Sequence, residues 1–255
     1  MKWGSIMYQA KQSEPSQEFK NAWQAAGRFL QSKGGEGLNW IRSNLNLPMV
    51  EHLSFRLGNQ LFFVFIEAAE FNFQKSSKLF LDVSREAKAT PCIMSMEQRI
   101  SKYEPCNSGW GLVNAESGVV INPIAMISGE LIERSEWELH DFAIQIVKTY
   151  LTKQGKDVFS AQSSLHIDPS IWFEESESAH WVVVRAVKYP DKEAVLPHNI
   201  NEIAQDCAHM GKVGYFASVS LVNSDDTFEP DANGNYLPLY RGHGMFVRFE
   251  GLKRV

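Results

Sequence analysis

Cysteine is scarce in this sequence: Cys92, Cys106 and Cys207 are the three in 255 residues. They are too few and too scattered for a disulfide framework. The nearest metal-like spacing, Cys207-x-His209, offers two of the four ligands a closed zinc site needs, so a buried thiol on a helix is the plainer reading. No apolar run reaches the ~18 residues of a spanning helix, and the opening "MKWGSIMYQAKQSEPS" has no apolar stretch of signal-peptide length. Cytoplasmic residence away from any membrane is therefore expected. A G-x-S-x-G elbow, an H-E-x-x-H helix, a Walker loop and a Rossmann glycine run are also missing, which leaves hydrolase, zinc-protease, NTPase and dinucleotide readings without support. No low-complexity segment and no internal repeat is visible.

What is present is an ordinary globular composition: 44% hydrophobic, 22% charged and 12% aromatic. The length suits one large domain or two ordinary ones. Charge divides unevenly, with 13 Lys+Arg against 11 Asp+Glu in residues 1–129 and 12 against 19 in residues 130–255. Duplex binding is driven largely by neutralising phosphates, so an acidic half disfavours nucleic acid and favours a protein partner or self-association.

Periodicity divides the chain at the same place. Residues 1–129 read as a smaller α+β region of unassigned role. Phe19, Ala22, Trp23, Ala26, Phe29 and Leu30 share one helical face, with Pro15 and Ser16 at its start and Gly34-Gly35 at its stop. A short helix is expected around Leu38–Leu45. Two β-rich runs then flank Gly58-Asn59, a two-residue hairpin turn. A helix over "SSKLFLDVSREAKAT", a strand opened by Pro91 and a hairpin around Glu116–Gly118 complete a small, largely antiparallel sheet. "NPIAMISGELIE" connects the halves but is too apolar for a free linker, so the halves should pack together.

Residues 130–255 read more clearly. Ser135-x-x-Glu138 is a capping box, and the helix after it carries Leu139, Phe142, Ile146 and Tyr150 on one stripe and stops at Gly155. Strands follow in "KDVFSAQSSL", "PSIWFE" and "HWVVVRAVKY", then a helix in "PHNINEIAQDCAHMG" and strands in "KVGYFASVSLV" and "GMFVRFEGL". The third and fourth strands are apolar on both faces, as central strands covered by helices are. The fold class is α/β: an αβββαβ mixed sheet flanked by helices, α+β over the whole chain.

That order, over roughly residues 135–222, resembles the restriction-endonuclease-like, or PD-(D/E)XK, nuclease superfamily. In that family a helix carboxylate, an Asp opening the second strand and an acid-x-Lys pair on the third strand surround a divalent metal. The resemblance places Glu138 at the helix carboxylate, Asp168 at the second-strand Asp and metal ligand, and Lys188 at the lysine. Carboxylates hold magnesium and lysine positions the attacking water. Side chains two apart on a strand share a face, so the missing acid should stand at 186, where the residue is Ala186. No acid lies between His180 and Pro190, and Gln162 could add only a neutral oxygen. The expectation is a degenerate, non-cleaving member of the fold that binds a protein partner or itself and needs no cofactor. The alternative is a magnesium-dependent nuclease using Asp168 and Lys188, with Glu138, Glu174 or the Asp225-Asp226 pair as further donors.

Outside that region, Arg241 and His243 in "LYRGHG" form a candidate anion-binding pair between glycines. "DDTFEPDANGN" departs from the EF-hand formula and reads as an exposed Asp/Asn/Gly turn. Trp110, Trp172 and Trp181 have acidic or apolar neighbours, so they read as packing residues and not as base-stacking platforms.

Overall fold

A computed structural model describes residues 15–43, 45, 52–100, 102–211, 213–231 and 233–255. Ser16 caps the first helix, α1 (Gln17–Gly34), by accepting from the Phe19 N–H at 3.1 Å. The α1 face carrying Phe19, Ala22, Trp23, Ala26 and Leu30 is buried against the first sheet. That sheet is built from β1 (Leu38–Arg42), β2 (His52–Leu57), β3 (Gln60–Glu67), β4 (Thr90–Arg99), β5 (Lys102–Pro105), β6 (Leu112–Asn114) and β7 (Val120–Ile121), with α2 (Phe73–Glu86) between β3 and β4. Its order is β1-β2-β3-β4-β6-β7 with β5 also on β4, and β3 and β4 run parallel. The helix expected over Leu38–Leu45 is strand β1 as far as Arg42. Pairing of Leu38 with Leu57 and Trp40 with Phe55 overrides the local spacing.

The C-terminal half follows the expected order: α3 (Glu136–Lys153), β8 (Asp157–Ala161), β9 (Ile171–Glu175), β10 (Ser178–Lys188), α4 (Ile200–Cys207), β11 (Val213–Asn223), β12 (Met245–Phe249) and a short β13 (Lys253–Arg254). The second sheet runs β12-β11-β10-β9-β8, with β13 also on β11 and β10 parallel to β11. Val182 and Val184 face α3, while Trp181 and Val183 face α4. Trp181 is buried, donates Nε1–H to Gly211 O at 3.1 Å and lies on Gly214, where a Cβ would come within 2.1 Å of the ring. Only glycine fits beneath it. This is the α/β fold with a helix-flanked mixed sheet, joined to an N-terminal α+β region. Among the described residues, no helix is long and apolar enough to cross a membrane.

The two halves repeat one another, a relation that the sequence did not show. Helices α1 and α3 are both 18 residues and both serine-capped. Buried Ala22, Trp23, Ala26 and Leu30 recur 121 residues on as Ala143, Ile144, Val147 and Leu151. In the strands the offset is 118: Trp40↔Phe55 becomes Val158↔Phe173, and Phe55↔Phe62 becomes Phe173↔His180. Both first strands carry a bulge at the same place, between Trp40 and Arg42 and between Val158 and Ser160. Gly58-Asn59 and Ser176-Glu177 make equivalent two-residue turns. Each unit is therefore αβββαβ, with its third and fourth strands parallel.

The units pack in series. Trp137 of α3 meets Phe63 edge-on at 4.9 Å within the apolar cluster beneath α2, so α3 covers part of the first sheet as well as the second. The apolar connection is held down, as expected: Asn59 Nδ2 donates to Ser128 Oγ at 3.0 Å and Glu130 O at 2.8 Å.

Candidate functional site

Strand alternation decides where the candidate nuclease residues go. On β10, Val182, Val184 and Ala186 share the α3 side, so Lys188 emerges there and Arg185 on the other. Asp168 is held by Arg185, with Nη1 to Oδ1 at 3.0 Å and Nη2 to Oδ2 at 2.5 Å. Lys188 turns to the start of α3, with Nζ 3.0 Å from Glu133 and 2.8 Å from Glu136. Burial alone would lower the Lys188 pKa, but its bonds to Glu136 and Glu133 outweigh that and raise it. Ala186 packs on the α3 core. Asp168 and Lys188 are thus engaged by different partners on opposite faces of one strand.

The N-terminal unit has a comparable tether at a different place. Glu70, in the Ala68–Phe71 turn three residues after β3, accepts from Ser16 N and Ser16 Oγ, both at 2.7 Å. In both units, a charged residue at or after the end of the third strand reaches the start of the first helix, with opposite charge.

Glu138 and Arg241 are brought together, but as a joint. Glu138 completes the capping box by accepting from Ser135 N at 2.9 Å. It also receives Arg241 Nε at 3.0 Å and Nη2 at 2.8 Å, with both side chains almost fully buried. The same Nη2 donates to Ala87 O and Lys88 O at 3.1 Å, so one guanidinium links the C-terminal loop, α3 and the end of α2. Arg134 and Arg56 lie close by. Burial and the positive charge of Arg56 lower the Arg134 pKa to about 10, against the pull of Glu138.

The other candidates are scattered. His243 is half-exposed and faces Asp225 at 3.4 Å, while Arg241 is buried, so the two do not form an anion pocket. Asp226 accepts from Phe228 N at 2.6 Å and Leu237 N at 2.9 Å, and so organises its own loop. Asp231 accepts from Asn233 N and Asn235 N, both at 2.8 Å, the turn expected of "DDTFEPDANGN". Gln162 orders its loop through Ser164 N at 2.7 Å and Ile167 O. Glu174 stands exposed on β9, away from Asp168 by its register against Asp157. Trp110 and Trp181 are core residues and Trp172 is partly buried beside the α4 cluster. Among the described residues no group of three or more His, Cys, Asp or Glu could hold a metal ion. Both Asp168 oxygens are bound by Arg185, so this donor set does not fit magnesium.

The sequence reading missed Arg185, Glu133 and Glu136, the partners that occupy Asp168 and Lys188. The signal was available for Arg185: a cation three residues before Lys188 on a strand lies on the opposite face. Glu133 precedes a capped helix and Glu136 opens it, where acids are common and nothing marks a partner more than 50 residues away.

Residues 137–255, just under half of the chain, are similar to a family described as a domain of unknown function (DUF8840). No curated protein matches the chain, and no solved structure does.

Proposed function

We propose that the protein is a non-catalytic binding protein, built on a sheet order shared with the nuclease fold but using that fold's candidate catalytic side chains for packing. The observation that carries this reading is that both candidate catalytic side chains are already engaged, on opposite faces of β10: Asp168 on both oxygens by Arg185, and Lys188 by Glu133 and Glu136. Glu70, which ties the start of α1 to the turn after β3, supports the same reading, because a tether to the first helix there needs no lysine. The three cysteines are free thiols, which suits the cytoplasm proposed for it.

Magnesium-dependent cleavage of DNA and RNA, measured for wild type, Asp168→Ala and Lys188→Ala, is the test. No cleavage by any of the three is expected. Cleavage by wild type that either substitution abolishes would make the protein a magnesium-dependent nuclease using Asp168 and Lys188.

A further inference from the structure

The joint between the units gathers three arginines around one acid. Arg56 comes from β2, where Phe55 and Leu57 belong to the cluster under α1. Side chains alternate along a strand, so Arg56 points to the other face, where α2 and α3 pack. Arg134 and Arg241 come from the second unit. Glu133 and Tyr240 form an antiparallel bridge, with Arg134 N–H on Leu239 O and Arg241 N–H on Ile132 O, both at 2.8 Å. By the same alternation both arginines leave on the face away from Glu133. The acid they share with Arg56 is Glu138.

The charges there do not balance. Glu138 is fully engaged: Oε1 accepts from Arg241 Nε at 3.1 Å, and Oε2 accepts from Arg241 Nη2 at 2.8 Å and from Ser135 N at 2.9 Å. Arg134 uses Nη2, which donates to His243 O at 3.2 Å, while its buried Nε has no acceptor among the described residues. The Arg56 guanidinium is half-buried and makes no hydrogen bond among the described residues. Neighbouring acids are occupied elsewhere: Glu133 and Glu136 hold Lys188, and Asp225 faces His243. The end of α2 offers carbonyls, from Ala87 and Lys88, and these go to Arg241. Burial first and the Arg56 charge second lower the Arg134 pKa to about 10, as crowded cations do. The start of α3 adds the same sign. The fold itself does not require a cation at Arg56, because the equivalent residue of the second unit is Glu174.

We infer that Arg56 and Arg134 hold a phosphate dianion at this joint, beside the Glu138–Arg241 pair. Two guanidiniums left without carboxylates supply its two counter-charges, and their planar forks match phosphate oxygens. A phosphate there touches both units, so its binding fastens one to the other. The site uses neither Asp168 nor Lys188 and goes beyond the reading proposed above.

Calorimetric titration of the full chain with inorganic phosphate tests this, at mildly alkaline pH and at an ionic strength held constant with sodium chloride. Wild type should take up one phosphate per chain. Arg56→Gln and Arg134→Gln should each weaken binding about ten- to hundredfold. Arg248→Gln, on the exposed face of β12, should leave it unchanged. Phosphate should also raise the melting temperature of wild type and not that of the two variants. If Arg134→Gln does not fold, Arg56→Gln keeps the test sound, since its guanidinium gives up no hydrogen bond within the chain. A parallel titration with glycerol 3-phosphate separates the sources: equal binding assigns the site to a phosphate ester, and binding of inorganic phosphate alone assigns it to the free ion. Each of these bears the inference out. No uptake of either compound, or uptake that Arg56→Gln and Arg134→Gln leave unchanged, overturns it.

Discussion

In the turn after its third strand the N-terminal unit carries Glu70, and at the end of its third strand the C-terminal unit carries Lys188; both side chains reach back to the start of their unit's first helix. The two tethers have opposite signs. A lysine that looks catalytic beside Asp168 looks structural beside Glu70. The same contrast separates other pairs. Phe19 in α1 corresponds to buried His140 in α3, and Arg56 corresponds to Glu174. Most buried apolar positions keep their class between units, with His140 and His180 in place of Phe19 and Phe62 as exceptions, while Arg56 and Glu174 show a polar position changing sign.

The joint has no counterpart inside either unit, and it should be the most sensitive point. Arg241→Ala leaves Glu138 buried without its cation, so urea unfolding should show a loss of about 3–5 kcal/mol. A loss below 1 kcal/mol would mean that the Arg241–Glu138 pair contributes little to holding the units together. Next comes His140, which burial first and the Arg185 charge second depress to about 4. The unfolded chain takes up this proton near pH 6.5 and the folded chain only near 4, so stability is full above 6.5 and falls as the pH drops between them. The share of this one group is about 3 kcal/mol. Substituting the first unit's residue, His140→Phe, should remove that share and leave the part due to His52, whose pKa burial also lowers. An unchanged pH profile would show that His140 does not titrate with unfolding.

Smaller effects follow within the second sheet. Asp168→Ala leaves Arg185 partly buried without its carboxylate and should cost about 1–3 kcal/mol in thermal or urea melts. The tethers come last. Lys188→Ala and Glu70→Ala each remove a surface or half-buried contact, and each should cost under about 1 kcal/mol. Similar small losses would support a shared tethering role. A loss at Glu70 with none at Lys188 would separate them.

Much of the C-terminal unit was legible because its cues are local. The Ser135–Glu138 box, the two-faced apolar strands and the Gly155 stop each act within a few residues. Strand β1 was misread because Leu38–Arg42 owes its extended form to β2, a partner that pattern alone does not reveal. The repeat stayed hidden because a shared register needs only apolar character at matching positions. Phe63 and Trp181, Phe65 and Val183, and Leu53 and Ile171 fill the same places without being the same residues. Asp168 and Lys188 were placed on their elements, but their partners come from side-chain direction and tertiary packing, which spacing along the chain does not encode.

The central claim is that Asp168 and Lys188 belong to the architecture of the unit and are not the remains of a metal site missing one acid. Ala186→Asp supplies that acid, and magnesium titration by calorimetry, with a cleavage assay on the same variant, reads the result. The account predicts no magnesium uptake and no cleavage, together with a loss of stability from a carboxylate placed against the α3 core. Stoichiometric magnesium binding or new cleavage by Ala186→Asp would contradict it.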